Sequence, residues 1–488
     1  MSSLRQIYED FIRANNMEDR KALRETVELL EEGKNVILRA PTGYGKTTLT
    51  RVLANATDLG YFDRVIHVLP LRSIVQDLYN KLRQDVQRGV IKTKSVAAQD
   101  MDFSDSPFFI QKVTVTTLDT FVLNLFKLPA IEIGKAFQNL GAHYELPRGM
   151  IYSSVVLFDE FHLLGEEGRP LTAGLSAIKA LTTAGVPVIV MSATLDHKLE
   201  ELIKKYGRDF ETVEAKDFHV RRELTVMKIS DDVILSLAIR RYEEGKRVLV
   251  VFNTRVEAIE FYRKLRDLGY SPVLLHSKFN RIDRTRLLER ALKERLVIST
   301  QVIEAGVDTS FDVLISEACP ASNLIQRAGR VARYGGKGEV YVFPFRGKVY
   351  DKDEVERVWN SLDGGLPELE EKNYQQLDHL MLHNLSVIDH SVFVNTTNVV
   401  KLFEEICNIV RDSSIIMGFP VGQYDSDYGV PLTENEALAA MRKNGVVKDG
   451  KEIKGYAPSS SCLQVSFLKD GIDGVIIDGY DNETGAII

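Results

Sequence analysis

No stretch of this 488-residue chain approaches the roughly 18 consecutive apolar residues of a membrane span. The first 25 residues, MSSLRQIYEDFIRANNMEDRKALRE, are charged throughout, which is unlike a secretory signal. Cysteine is scarce. Cys319, Cys407 and Cys462 lie far apart and are expected to form neither a disulfide framework nor a CxxC metal site, as fits a reducing, cytoplasmic setting. Internal repeats and low-complexity segments are lacking as well, which argues against solenoids and linker-rich chains. Charge of one sign does not dominate, but the net −7 averages two unlike parts. Residues 351–488 hold 11 Lys+Arg against 24 Asp+Glu, leaving 51 against 45 in the first 350. A mildly basic body suits nucleic acid, and an acidic tail suits another role such as meeting a protein.

What is present is a rhythm. Apolar, β-rich runs at 35–40, 64–70, 112–117, 154–159 and 186–193 alternate with amphipathic stretches, and a second series follows at 247–253, 272–277, 295–300, 312–318 and 339–345. Helices are expected over 45–59, 72–88, 232–244, 255–268 and 281–293. The alternation predicts two α/β domains built on parallel sheets and joined near 205–235. After about 350 the rhythm is lost.

APTGYGKTT, comprising Ala40, Pro41, Thr42, Gly43, Tyr44, Gly45, Lys46, Thr47 and Thr48, follows a strand and opens a helix. Such a loop cradles phosphates with backbone N–H groups, while Lys46 reaches the β/γ oxygens and Thr47 holds Mg²⁺. Ala40 stands where the usual loop has its first glycine. VVLFDEFH ends another strand with Asp159, Glu160 and His162. An aspartate there can hold Mg²⁺, and the adjacent glutamate can orient and deprotonate water. The plainer alternative is a helix cap whose acids favour the dipole. MSATL places Ser192 and Thr194 at the end of the next strand, where a satisfied turn is the alternative.

The segment 299–333 has no phosphate loop. It supplies Thr300, Gln301, Glu304, Gly306 and Asp308 after one strand, then Gln326, Arg327, Arg330 and Arg333 after the next. Function gathers at the carboxyl ends of such strands. One domain carries a phosphate loop and the other carries cations, so a nucleotide clamped between them would satisfy both. The ordered set APTGYGKT, LPLRS, TVTTLD, DEFH, SAT, VVFNT, STQVIEAGVD and QRAGRVAR resembles the superfamily 2 helicases over about residues 15–345. TQVIEAGVDTSFDVLISEACPASNLIQRAGR, LLHSKFNRIDR and SSVVLFDEFHLL are similar to the type I CRISPR-associated helicase.

The resemblance implies an α/β fold of two tandem RecA-like domains, 1–215 and 216–350, with a mixed acidic accessory region over 351–488. It implies ATP and Mg²⁺ as cofactors, Glu160 as base and Asp159 with Thr47 on the metal. Gln326 would place water, Arg330 and Arg333 would be arginine fingers, and Arg327 is less clearly assigned. His162, Ser192 and Thr194 would couple the sites, and Gly306 and Asp308 would serve the nucleotide. Pro70, Arg72, Gln76, Thr117, Asp119, Asn253, Thr254, His276 and Thr300 would meet the nucleic-acid backbone, with a cap or a solvated loop as the alternative for each. A glutamine that reads adenine is not evident upstream of the phosphate loop, where Arg20 or Leu23 stands.

The implied activity is 3′→5′ translocation on single-stranded DNA in type I CRISPR interference, alongside the CRISPR surveillance complex. The family is often fused to an HD nuclease, but no His-Asp dipeptide occurs here. The nuclease is therefore expected as a separate chain. LDHLMLHNLSVIDH, with His379, His383, Asp389 and His390, reads as an amphipathic helix rather than a metal site. The alternatives are another superfamily 2 task, RNA remodelling or DNA repair, and a nucleic-acid-binding scaffold that does not hydrolyse ATP.

Overall fold

The computed structural model describes residues 2–41, 43–100, 105–138, 140, 143, 145–166, 168–217, 222–304, 309–368, 407 and 415–488. They divide into two compact units. The first is Met1–Phe218, Glu371–Ile416 and Thr433–Gly474; the second is His219–Glu370, Met417–Leu432 and Val475–Ile488.

In the first unit α1 (Leu4–Ala14) and α2 (Lys21–Glu31) precede β1 (Asn35–Arg39), α3 (Thr47–Asp58), β2 (Arg64–Leu69), α4 (Arg72–Gln87), β3 (Val96–Gln99), β4 (Val113–Thr117) and α5 (Leu118–Leu125). Then follow α6 (Ile133–Phe137), α7 (Leu146–Tyr152), β5 (Ser154–Phe158), α8 (Gly168–Thr183), β6 (Val188–Ser192), α9 (His197–Tyr206) and β7 (Phe210–Glu214). The strands form one parallel sheet in the order β3-β4-β2-β5-β6-β1-β7. Alternate residues of each central strand feed opposite faces. Val36, Leu38, Val65, Val155 and Leu157 pack with α1, α2 and α3, whereas Ile37, Ile66, Val156 and Phe158 pack with α5, α8 and α9. Burial on both faces explains the near-continuous apolar runs.

The second unit runs β8 (Arg222–Lys228), α10 (Ile234–Glu243), β9 (Val248–Val251), α11 (Arg255–Asp267), β10 (Val273–Leu275), α12 (Arg281–Lys293), β11 (Leu296–Ser299), β12 (Val313–Glu317), α13 (Ala321–Ala328), β13 (Gly336–Phe343) and α14 (Lys352–Ser361). Its six strands are also parallel, ordered β10-β11-β9-β12-β13-β8. The C-terminal part adds β14 (Ile415–Phe419), β15 (Val430–Thr433), α15 (Glu434–Asn444), β16 (Val446–Lys448), β17 (Lys451–Ile453), α16 (Leu463–Asp470), β18 (Gly474–Ile476), β19 (Gly479–Asp481) and β20 (Gly485–Ile487). It is mixed: β14 and β18 pair parallel, while β16–β17 and β19–β20 are antiparallel hairpins. The alternating α/β rhythm thus gives two RecA-like sheets, as the sequence predicts. Three strands escape that reading. β7 and β8 are half-exposed edge strands of mixed polarity, FETVE and RELTVMK, and β3 is the four-residue VAAQ.

The cysteines require a correction. Cys407 and Cys462 are joined by a disulfide across 55 residues of sequence, and Cys319 is the buried free thiol. Spacing rules detect local frameworks, whereas here the returning chain brings distant cysteines together, with Cys462 packed among the residues beneath α5 and α8. Thiol titration in denaturant is expected to count one reactive cysteine before reduction and three after it. Three before reduction would refute the pairing.

Candidate active site

The carboxyl ends of β1, β5 and β6 lie along one edge of the first sheet, and each ends in chemistry. After β1 the phosphate loop turns through Gly43 (φ 90°) and Gly45 (φ 94°) before α3 begins at Thr47. Those two positions need glycine because L side chains rarely adopt such angles. Ala40 is not among the positive-φ residues and its N–H bonds to the Ser192 carbonyl at 3.0 Å, so a methyl group is tolerated at this departure from the usual loop. Thr48 is buried and Thr47 half-buried; Pro41 is half-buried, and Thr42 lies outside the described residues.

Lys46, 8% exposed, places Nζ 3.7 Å from Asp159 Oδ1 and 3.6 Å from Glu160 Oε1. No hydrogen-bond partner reaches this ammonium among the described residues. Burial by itself would lower its pKa, but Glu160 and Asp159 hold it above the ordinary lysine value. Burial likewise opposes ionisation of Asp159, yet Lys46 and then His67 lower its pKa to about 2. Asp159 also accepts from the Glu160 amide at 2.8 Å. Glu160 has φ 51°, a left-handed conformation that costs a non-glycine residue of the order of 1–3 kcal/mol. Its Oε2 faces His162 Nδ1 at 3.5 Å, and the same nitrogen pairs with Ser192 Oγ at 2.9 Å. Ser192 Oγ in turn accepts from the Thr194 amide at 3.2 Å. Lysine, both carboxylates, histidine and the two hydroxyl residues therefore form one contiguous chain. A phosphate oxygen would satisfy the buried ammonium, and a divalent cation would suit Asp159 with Thr47 at the start of α3.

Among the other residues expected on this unit, Pro70 follows β2 and Arg72 opens α4, both half-buried, with Gln76 buried one turn on. Thr117 ends β4 and caps α5 by accepting from the Thr120 amide, and Asp119 lies in that helix's first turn. Tyr44 ties the phosphate loop to its surroundings. Its hydroxyl accepts from the Ala22 amide and donates to Asp217 at 2.8 Å, and Arg20 lies 5.6 Å over its ring.

In the second unit the three arginines separate. Arg327 is completely buried. Nε donates to Glu304 at 2.7 Å, Nη1 to Ser316 Oγ at 3.0 Å and the Glu317 carbonyl at 3.2 Å, and Nη2 to Asn253 at 3.0 Å. Arg330, also buried, donates to the carbonyls of Ile303 and Glu304. Arg333 is half-buried and its amide bonds to Ser310 Oγ, while Gln326 is half-buried on α13. Asn253 is enclosed in the Arg327 cluster, its amide bonded to Glu317 and its Nδ2 to the Ala318 carbonyl. Thr254 caps α11, and Thr300 is buried with its amide on the Leu275 carbonyl. Gln301 reaches the Asn253 carbonyl. Gly306 and Asp308 lie outside the described residues, as do His379, His383, Asp389 and His390.

His276 is buried beneath the β19–β20 hairpin. It stacks on Phe279, Nδ1 accepts from the Lys278 amide, and Nε2 faces the Thr484 carbonyl at 3.2 Å, which is the pattern of a neutral ring. Burial, then Arg255, lowers its pKa to about 3. An unfolded histidine takes a proton near 6.5, so folding is unaffected by His276 above that pH and weakened as pH falls from 6.5 toward 3. The slope is at most about 1.4 kcal/mol per pH unit. In urea melts across this range His276→Gln is expected to flatten the acid limb; an unchanged slope would place the acid sensitivity elsewhere.

Two features escape the motifs: the pairing of Glu304, already marked at its strand end, with Arg327, and His67, which lies in the apolar run RVIHVLP 3.6 Å from Asp159. The visible signal for His67 was a lone polar residue in a strand buried on both faces.

The DEAD/DEAH box helicase family matches residues 20–202, and the C-terminal family of CRISPR-associated nuclease/helicase Cas3 matches 244–336. With the two parallel sheets and the loop geometry, these matches support a superfamily 2 helicase. The second of these matches is to CRISPR-associated, Cas3-like helicases, and so is the similarity to single relatives. The chain is 27% identical over 347 residues to the CRISPR-associated helicase Cas3 of Thermoproteus tenax, covering 66% of this chain and 58% of that protein. It is also 27% identical over 379 residues to a putative CRISPR-associated nuclease/helicase Cas3 of Methanocaldococcus jannaschii, covering 68% and 50%. It thus spans little more than half the length of these relatives. The fold of T. fusca Cas3 solved with ADP is similar, with a TM-score of 0.66 at 17% identity, covering 100% of this chain and 72% of that one. Among the described residues no helix is long and apolar enough to cross a membrane.

Proposed function

We propose that this chain hydrolyses ATP to drive 3′→5′ translocation on single-stranded DNA in type I CRISPR interference. In that setting it would act in the cytoplasm, on DNA marked by the CRISPR surveillance complex, and feed an HD nuclease carried by a separate chain. The observation that carries the reading is the buried Lys46 ammonium, held 3.6–3.7 Å from Glu160 and Asp159 with no hydrogen bond of its own among the described residues. The similar Cas3 proteins support the wider assignment.

Lys46 then presents its charge to the β/γ-phosphate oxygens, and Thr47 with Asp159 holds Mg²⁺. When bound, Mg²⁺ neutralises charge developing on the phosphates. Glu160 orients the attacking water and takes its proton, and His162 fixes Glu160 from the side away from Lys46. Through Ser192 and Thr194 the state of that carboxylate is tied to the end of β6. Gln326, Arg330 and Arg333 act on the water and the phosphates, and Gly306 and Asp308 serve the nucleotide. Pro70, Arg72, Gln76, Thr117, Asp119, Asn253, Thr254, His276 and Thr300 are the residues by which the resemblance would hold the strand. Pro70, Arg72, Asp119 and Thr254 are the partly exposed ones, and burial leaves Gln76, Thr117, Asn253, Thr300 and His276 to act through their neighbours.

ATP turnover with ssDNA and ssRNA, and unwinding of duplexes with 3′ or 5′ tails, test the proposal. Stimulation by ssDNA and unwinding from the 3′ tail are expected. A preference for RNA sinks the DNA assignment, and a preference for the 5′ tail sinks the polarity.

A further inference from the structure

The buried edge of the phosphate site holds a histidine that no motif assigns. His67 lies on β2 with no exposed surface, two residues before the strand ends. Its neighbours on that face, Val65 and Leu157, are apolar. Nδ1 lies 2.7 Å from Thr50 Oγ1, in the first turn of α3 just beyond the phosphate loop. Nε2 has no hydrogen-bond partner among the described residues and faces Asp159 Oδ2 at 3.6 Å. A polar ring in such a layer is costly unless both nitrogens are used. The Thr50 hydroxyl can donate to Nδ1, which leaves the ring proton on Nε2, toward the carboxylate.

The arrangement divides the carboxylate. Asp159 Oδ1 accepts from the Glu160 amide and faces Lys46, whereas Oδ2 faces His67. The Asp159 amide is itself held by the Val68 carbonyl at 3.0 Å, so backbone and side chain are both referred to β2.

We propose that His67 is a positioning residue for the nucleotide-associated metal: held by Thr50 on α3, it orients the Asp159 carboxylate for Mg²⁺. The inference rests on the ATP-site reading given above. It makes helix α3, strand β2 and the acidic loop one rigid assembly, so that the loop that binds phosphate also fixes the metal's ligand. Groups that orient a metal ligand typically change metal affinity 10–100-fold when removed.

The test measures binding of the fluorescent analogue mant-ADP to the full chain, in EDTA and across a Mg²⁺ titration, for wild type, His67→Phe, His67→Gln and Thr50→Val. His67→Phe keeps an aromatic ring in the core; His67→Gln keeps an N–H able to reach Asp159. Expected for His67→Phe is mant-ADP affinity in EDTA within twofold of wild type, with a roughly tenfold higher Mg²⁺ concentration needed for half-maximal enhancement. His67→Gln should recover part of that loss, and Thr50→Val should shift the titration in the same direction by less. Thermal melting of each variant confirms folding. Should His67→Phe be unfolded, the two milder variants decide. Wild-type Mg²⁺ dependence in folded variants overturns the role of His67 and leaves the ATP reading intact. Failure of wild type to bind mant-ADP in any condition overturns that reading and the inference with it.

Discussion

Replacing Glu160 by glutamine is expected to cut ATP turnover by roughly 10²–10⁴ while nucleotide affinity stays within a few-fold of wild type. The substitution keeps the shape of the side chain and removes the charge that accepts a proton from water. Glu160 sits at φ 51° with one oxygen 3.6 Å from Lys46 and the other 3.5 Å from His162. A strained backbone that points a carboxylate between two cationic or potentially cationic groups is held by its surroundings, and such strain gathers at working sites. Folding should survive the change because Asp159 still faces Lys46 at 3.7 Å. Lys46→Ala serves as the contrast, losing nucleotide binding as well as turnover. Asp159 adds a control on pH. With its pKa lowered to about 2, its contribution to stability is complete above about 3.8, the ordinary value, and is lost only as pH falls toward 2. An acid limb of activity above pH 5 therefore has another origin. Single-turnover hydrolysis and mant-ADP binding give the two readouts, and undiminished turnover in Glu160→Gln would refute its role as base.

Much of this site was legible because its chemistry is local. A phosphate loop, a strand ending in Asp-Glu and a strand ending in Ser-Ala-Thr each occupy a few consecutive residues, and apolar runs mark the strands that carry them. What escaped depends on distant partners. β7 and β8 read as linker because an edge strand needs only one buried face, and RELTVMK supplies no continuous apolar run. The Cys407–Cys462 link needs the chain to return over 55 residues. His276 reads as an accessible strand contact from LLHS, but hairpin β19–β20 covers it from more than 200 residues away, where a Cβ on Gly485 would come within 2.7 Å of the ring. His67 looks like one oddity in an apolar strand until the fold places Thr50 on one side and Asp159 on the other.

The largest loss of stability is expected at Arg327, the arginine of IQRAGRVARYG that the motif assigns least clearly. Its guanidinium is wholly buried and spends its donors on Glu304, Ser316, the Glu317 carbonyl and Asn253, so a phosphate could be reached only by breaking that set. Arg327→Met fills most of the volume but takes the guanidinium away from the buried Glu304 carboxylate, which keeps its hydrogen bond from Asn323 at 2.8 Å. Leaving one partner of a buried ion pair uncompensated costs about 3–5 kcal/mol. For a unit of this size that corresponds to a fall of roughly 6–20 °C in melting temperature. Arg327→Lys should recover little, because an ammonium cannot reproduce a planar fork with four acceptors. Removing both charges in Arg327→Met/Glu304→Leu should recover a substantial part of the loss, since the penalty comes mainly from the unpaired carboxylate. Arg333→Ala, at a half-buried position, is expected to melt within about 1 °C to 3 °C of wild type and to lose turnover instead. Melting curves beside ATP turnover separate the two outcomes. A folded Arg327→Met that melts like wild type but no longer hydrolyses ATP would move Arg327 from the core to the catalytic machinery.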